Sequence, residues 1–86
     1  MKSRATSKFW SAFDTLPPTI QKAAVKQYRL WLTDPRHPSV QFKKVGHFWS
    51  ARVTNEYRAL GVMDGDIVVW FWVGTHSEYE RALKTT

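Results

Sequence analysis

Tyr57-Arg58-Ala59-Leu60-Gly61-Val62-Met63-Asp64-Gly65-Asp66-Ile67-Val68-Val69-Trp70-Phe71-Trp72-Val73 is the stretch whose reading decides the fold. Two runs rich in β-branched and aromatic residues flank Asp64-Gly65, a strong signal for a two-residue hairpin turn. Taken literally, this turn pairs Met63 with Asp66, Ala59 with Trp70 and Tyr57 with Trp72. Small Ala59 and Gly61 then lie beside large indoles, a sensible cross-strand fit. Ile67–Val73 is apolar on both faces, the pattern of a central strand covered on each side. Upstream, Trp49, Ala51 and Val53 alternate with Ser50, Arg52 and Thr54, as in a half-buried strand. Val40–Val45 supplies one more. Four strands are therefore predicted: Val40–Val45, Trp49–Thr54, Tyr57–Met63 and Ile67–Val73. Their short connections favour an antiparallel sheet.

The first half of the chain reads as helical. Thr6-Ser7 can cap a helix in which Phe9, Trp10, Phe13 and Leu16 recur at helical spacing. Pro17-Pro18 breaks it, and Pro18 suits the first turn of the next helix, where no backbone donor is needed. There Ile20, Ala24, Tyr28 and Trp31 form one stripe, with Val25 and Leu32 alongside. Lys22, Lys26 and Arg29 fall on the exposed side. Thr33-Asp34-Pro35 ends the helix, and Asp34–Ser39 is a loop with two prolines. Ser77-Glu78-Tyr79-Glu80 has the form of a capping box and opens a short last helix through Leu83. Helices followed by strands indicate an α+β fold. The expected architecture is an N-terminal helix hairpin packed on a four-stranded antiparallel sheet, with a short C-terminal helix. At 86 residues the chain is expected to form one domain, residues 1–86.

Five Trp, five Phe and three Tyr make the predicted core strongly aromatic. Large rings bury much area per residue, which helps so small a chain. There is no cysteine, which excludes disulfide, thiolate-metal and cysteine-nucleophile chemistry. The N-terminal residues lack an apolar stretch of signal-peptide length, and the longest apolar run is too short to cross a bilayer. A cytoplasmic protein with no membrane partner is expected. Thirteen Lys+Arg against seven Asp+Glu give a formal charge of +6, which favours polyanionic partners.

Several kinds of chemistry find no footing. The glycines are scattered at 46, 61, 65 and 74, so no phosphate-binding loop is present. No His, Asp or Glu cluster has metal-ligand spacing, and no metal or other cofactor is expected. Asp64 and Asp66 are explained by a turn, and Glu78 and Glu80 by a helix start. What remains is basic and aromatic: Lys43, Lys44, Arg52, Arg58, His76 and Tyr79. Taken singly, each has a plain structural explanation. Lys43 and Lys44 close a strand, Arg52 points outward, Arg58 can pair with Glu56 or Asp34, His76 shapes a turn and Tyr79 packs a helix. Together they suit RNA cleavage. Arg and Lys stabilise charge growing on a phosphate, and His or Tyr moves protons at the 2′-hydroxyl and the leaving oxygen.

Leu16-Pro17, Tyr28-Arg29-Leu30-Trp31 and Asp34-Pro35-Arg36-His37-Pro38-Ser39 resemble the first half of RelE/ParE-family toxins. Phe42-Lys43-Lys44-Val45, Trp49-Ser50-Ala51-Arg52-Val53, Tyr57-Arg58-Ala59-Leu60 and Trp70–Tyr79 resemble their second half more closely. The resemblance spans roughly Phe9 to Leu83, and the order and spacing of the motifs carry it. It implies a toxin of a type II toxin–antitoxin pair, silenced by a cognate antitoxin. Family members of the RelE and YoeB kind cut mRNA on the ribosome and leave 2′,3′-cyclic phosphate ends. By position, Arg58 resembles the Arg of the family's Tyr-Arg pair and Arg52 the basic residue of the preceding strand. His76 stands where these enzymes carry Arg or His, and Tyr79 matches their C-terminal Tyr. The implied set is catalytic Arg52, Arg58, His76 and Tyr79, with Lys43 and Lys44 guiding RNA.

Three departures stand out. Ser50 and Ala51 are neutral where RelE is richer in lysine, no position here can be matched to the catalytic Glu of YoeB, and the family's N-terminal strand is missing. ParE-like members share the Gly-x-His-x-x-Tyr ending and act on DNA gyrase. A gyrase inhibitor, or an inactive member that binds only its antitoxin, are the alternatives. An exposed aromatic surface around Trp70, Trp72 and Tyr79 is expected as the antitoxin site. The ribonuclease reading also sets a geometric condition. A plain Asn55-Glu56 turn pairs Val53 with Arg58 and sends Arg52 and Arg58 to opposite faces. One site can use both only if a bulge or an odd-length loop intervenes.

Overall fold

The computed structural model describes residues 2–84. Along the chain run β1 (Lys2–Ala5), α1 (Ser7–Asp14), α2 (Pro18–Thr33), β2 (Lys43–Val45), β3 (Phe48–Thr54), β4 (Tyr57–Asp64), β5 (Ile67–Thr75) and α3 (His76–Lys84). The fold is α+β as expected, with helices packed on a sheet and a C-terminal helix. Thr6 caps α1, its side-chain oxygen accepting from Phe9 N at 3.1 Å. Pro18 stands in the first turn of α2, which ends at Thr33, ahead of Pro35.

The sheet departs from expectation in strand number and direction. It has five strands in the order β1-β5-β4-β3-β2. Lys2-Ser3-Arg4-Ala5 shows no apolar alternation, yet, against expectation, it forms an N-terminal strand and runs parallel to β5, Lys2 beside Ile67 and Ala5 beside Trp70. An open edge of β5 would present unpaired amides and carbonyls, and β1 pairs them. Lys2–Asp66 (3.4 Å) and Arg4–Asp64 (4.0 Å) join β1 to the hairpin tip. Both pairs are exposed and add little. With β1 in place, β5 is an interior strand, and its Val68, Trp70 and Val73 face the helix-covered core.

The β4–β5 hairpin turns one residue later than predicted. Gly65 and Asp66 form the turn, and Asp64 pairs with Ile67. Gly65 has φ +63° at the first central position, which a side chain resists and a hairpin turn of the II′ kind requires. Gly61 therefore faces Trp70, and Leu60 faces Trp72, with Phe71 as the extra residue of a bulge. Ala59 pairs with Val73 and Tyr57 with Thr75, not with the indoles. The small-beside-large logic survives at Gly61, where a Cβ would lie 3.0 Å from the Trp70 ring.

The two N-terminal helices cover one face of the sheet, α1 against β5 and α2 against β3. Between them an apolar cleft of about 230 Å³ opens, lined in part by Phe9, Trp10, Phe13, Val25 and Tyr28. The hairpin is thus splayed over the sheet rather than closed along its length. Trp31, 1% exposed, is the centre of the core. Its ring meets Trp70 at 5.3 Å and Phe42 at 5.4 Å, and Phe42 stacks on Trp49 at 4.7 Å. Gln27 Nε2 donates to Ser39 O at 2.9 Å and Arg52 O at 3.0 Å, pinning α2 to the loop and to β3.

The cap of the last helix lies two residues earlier than predicted, at Thr75. Glu78 Oε1 accepts from Thr75 N at 3.0 Å and Thr75 Oγ1 at 2.9 Å, and Glu78 N donates back to Thr75 Oγ1 at 3.2 Å. The capping box is Thr75-x-x-Glu78, displacing Ser77–Glu80. The Thr75 backbone bond, then its hydroxyl, lower the Glu78 pKa. A carboxylate held below its unfolded value adds stability that is present at neutral pH and lost as pH falls through the folded value. Thr75→Ala keeps the backbone bond to Glu78 but removes the hydroxyl that bonds Glu78 Oε1 and caps Glu78 N, and should cost about 1 kcal/mol at pH 7. That difference should shrink below pH 4, measured by urea unfolding at both pH values. An equal cost at both would show that Glu78 is not the partner that matters.

Candidate functional site

The condition set by the two arginines is met by a bulge. Thr54 pairs with Tyr57 across the Asn55-Glu56 turn, yet Arg52 lies directly opposite Arg58, leaving Val53 as the extra residue. Neither Asn55 nor Glu56 has positive φ. The primed turns that match strand twist are therefore not in use, and a bulge takes up the mismatch. Val53 turns into the core while Arg52 and Arg58 share the other face, away from α1 and α2.

Two like charges directly opposite each other repel. Burial, and then the Arg52 charge, lower the Arg58 pKa, while Tyr79 acts in the opposite direction. The Arg58 guanidinium bends toward its own turn. Its Nη1 donates to Thr54 O, to Tyr57 O at 3.0 Å and to Asn55 O at 3.3 Å. Neither Glu56 nor Asp34 is its partner. Arg52 Nε is buried with no hydrogen-bond partner among the described residues. The pair is a strongly cationic spot whose donors are not all engaged.

Helix α3 brings the other two residues to this spot. His76 N donates to Glu56 O at 2.6 Å, tying the helix start to the β3–β4 turn. The His76 side chain is 43% exposed, with Nδ1 3.3 Å from Glu80 Oε1. A carboxylate on Nδ1 favours the tautomer whose Nε2 is free to accept a proton. The Tyr79 ring lies 5.5 Å from that of His76 and is 7% exposed. The sequence does not mark Glu80 as a site residue, since a cap at Ser77 accounts for it. Its spacing of four from His76 marks the pair once α3 is known to begin at His76.

The lysines divide. Lys43 pairs with Ser50 and so shares the face of Arg52, whereas Lys44 pairs with Trp49 and stands on the helix-covered side. The side chains of a strand alternate, so adjacent lysines cannot serve one face. His37 shapes its loop, Nδ1 lying 3.2 Å from Ser39 N and 2.9 Å from Ser39 Oγ. The expected aromatic surface around Trp70, Trp72 and Tyr79 does not exist as such. Trp70 is 6% exposed beneath the helices and Tyr79 is buried under α3, leaving Trp72 half-buried on the arginine face. Among the described residues, no three metal-ligating side chains come together, and no helix is long and apolar enough to cross a membrane.

Residues 18–81 match the ParE-like toxin domain family. No curated protein matches the chain in sequence. Several solved structures share the fold. The RelB–RelE antitoxin–toxin complex of Methanococcus jannaschii superposes with TM-score 0.71 at 13% identity, over 91% of this chain and 95% of that one. A YoeB/ParE toxin from Agrobacterium tumefaciens gives 0.69 at 16% identity, over 88% and 99%. A RelBE toxin–antitoxin complex from Mycobacterium tuberculosis gives 0.65 at 24% identity, over 87% and 96%. The fold is that of the RelE/ParE toxins, and the chain belongs to the ParE-like toxin domain family.

Proposed function

We propose that this toxin cuts mRNA without a metal and is silenced by a cognate antitoxin. One observation carries the reading: the Val53 bulge puts Arg52 opposite Arg58 on one face, beside accessible His76. In this reading Arg58 binds the scissile phosphate and Arg52 assists, offsetting the charge that grows on the non-bridging oxygens. The 2′-hydroxyl attacks phosphorus, the bond to the 5′ oxygen breaks and a 2′,3′-cyclic phosphate remains. His76 Nε2 takes the 2′-hydroxyl proton, with Glu80 steadying the imidazolium that forms. Tyr79 gives its hydroxyl proton to the leaving 5′ oxygen. Lys43 guides RNA by charge, and Lys44 adds to the field from the other side. The ribosome is a natural setting, since it presents mRNA as a single strand. That related folds were solved as antitoxin–toxin complexes supports a protein partner.

A second reading has specific support. Arg58 is turned to its own backbone and Tyr79 is buried, which holds both back from a reacting phosphate. Together with the ParE-like family match, this favours a gyrase inhibitor that breaks no bond. Induction in cells, with mapping of mRNA 5′ ends and of plasmid supercoiling, separates the two. Cut transcripts with unchanged topology are expected. Altered topology with intact RNA would establish the gyrase reading, and neither change would leave a chain that binds only its antitoxin.

A further inference from the structure

The sheet face opposite α1 and α2 is partly covered, with Ser50 and Leu60 buried on it, and rings stand around them where a solvated strand pattern would be polar. Phe48 of β3 and Phe71 of β5 lean together over the intervening β4, ring centroids 5.3 Å apart and tilted 55°. Both are half-buried, as is Trp72. The bulge at Phe71 is what turns Phe71 and Trp72 to the same side. Trp72 lies down over Gly74, where a Cβ would come within 2.6 Å of the indole. Gly74 is the direct cross-strand partner of Arg58. The indole thus points along the sheet to the arginine pair, and only glycine leaves it room.

We propose that Phe48, Phe71 and Trp72 form a base-stacking track that holds unpaired bases of a single RNA strand beside the Arg52–Arg58 pair. The proposal rests on RNA being the target. Rings interleaved with cations are what single-strand binding requires, because stacking is tolerant of base identity and phosphates follow the charges. Lys43, Arg52 and Arg58 supply those charges on the same face. Of the acids around the face, Asp64 is paired with Arg4, Glu78 with Thr75 and Glu80 with His76, which leaves Glu56 of the β3–β4 turn as the one acid there against three cations. An RNA strand therefore meets a cationic aromatic surface continuous with the candidate site. An acidic protein segment would match the charges but would leave the ring row without base faces to stack on.

The test uses the full chain and a labelled single-stranded RNA oligomer with 2′-O-methyl groups, which binds but lacks the attacking hydroxyl. Affinity is followed by fluorescence anisotropy over a range of salt. Phe48→Leu, Phe71→Leu and Trp72→Leu keep an apolar side chain and remove a ring. Each should weaken binding roughly tenfold without changing the slope of log affinity on log salt. Lys43→Ala should reduce that slope by about 0.7. A duplex of the same sequence should bind equally to wild type and ring variants, since its bases are already stacked. If Trp72→Leu does not fold, Phe48→Leu decides. Ring variants that bind the strand as wild type does would overturn the track, as would a wild type that fails to bind it. The same holds if the variants lose only a protein partner. Intact transcripts in cells alongside ring-dependent strand binding would overturn the cutting activity and leave the track standing.

Discussion

Arg58→Ala should abolish growth arrest when the protein is induced, and the cut mRNA 5′ ends should disappear with it. A charged donor aimed at a reacting phosphate is typically worth ~10²–10³ in rate. Here the neighbouring guanidinium cannot replace it, because Arg52 holds its own position across the ladder. The fold should survive. The three carbonyls that Arg58 bonds lie at the Thr54–Tyr57 turn, two of the three contacts part-buried and one exposed. Losing them is countered by release of the repulsion from Arg52 and of the burial that already disfavours the charged form. A net change within about 1 kcal/mol is expected, read by thermal unfolding. Arg58→Lys should rescue poorly, since an ammonium lacks the fork that grips a phosphate in two places. A folded Arg58→Ala protein that still arrests growth would remove the arginine from the mechanism.

Trp31→Ala should be the most damaging single substitution to stability. Removing a large buried aromatic costs ~3–5 kcal/mol, against a total margin on the order of 5–15 kcal/mol for a domain. Trp31 joins Trp70, Phe42 and Tyr28 into one ring cluster, so its loss loosens α2, β5 and the loop before β2 together. Trp31→Phe should be far milder. The indole Nε1 is buried with no hydrogen-bond partner among the described residues, so its removal relieves an unmet polar group and offsets part of the lost contact area. Chemical denaturation followed by circular dichroism distinguishes the two. A cost below about 1 kcal/mol for Trp31→Ala would mean that the neighbouring cleft collapses to fill the space.

Periodicity and local chemistry were enough for several elements. Thr6 as a cap, Pro18 as a helix start and the Pro35 stop all act within a few residues of where they stand. The alternation from Trp49 to Val53 likewise assigned core and outer sides correctly up to the bulge. The Tyr57-Arg58 and Gly74–Tyr79 segments pointed to the family, and that reading agrees with the match over residues 18–81. None of these depends on residues distant in the chain.

What depended on such residues was decided by the tertiary structure. Lys2–Ala5 has no strand signal of its own and becomes β1 because β5 offers an unpaired edge. The choice of Gly65 rather than Asp64 as the first turn residue moves the whole register, since only one of the two tolerates φ +63° without strain. Helix α3 begins at His76 because Thr75, as the end of β5, supplies the cap, and that start is what brings Glu80 to His76. The Val53 bulge has no marker in the sequence. It follows from the twist of β3 and β4 meeting a turn without left-handed residues, and that twist alone sets Arg52 and Arg58 on one face.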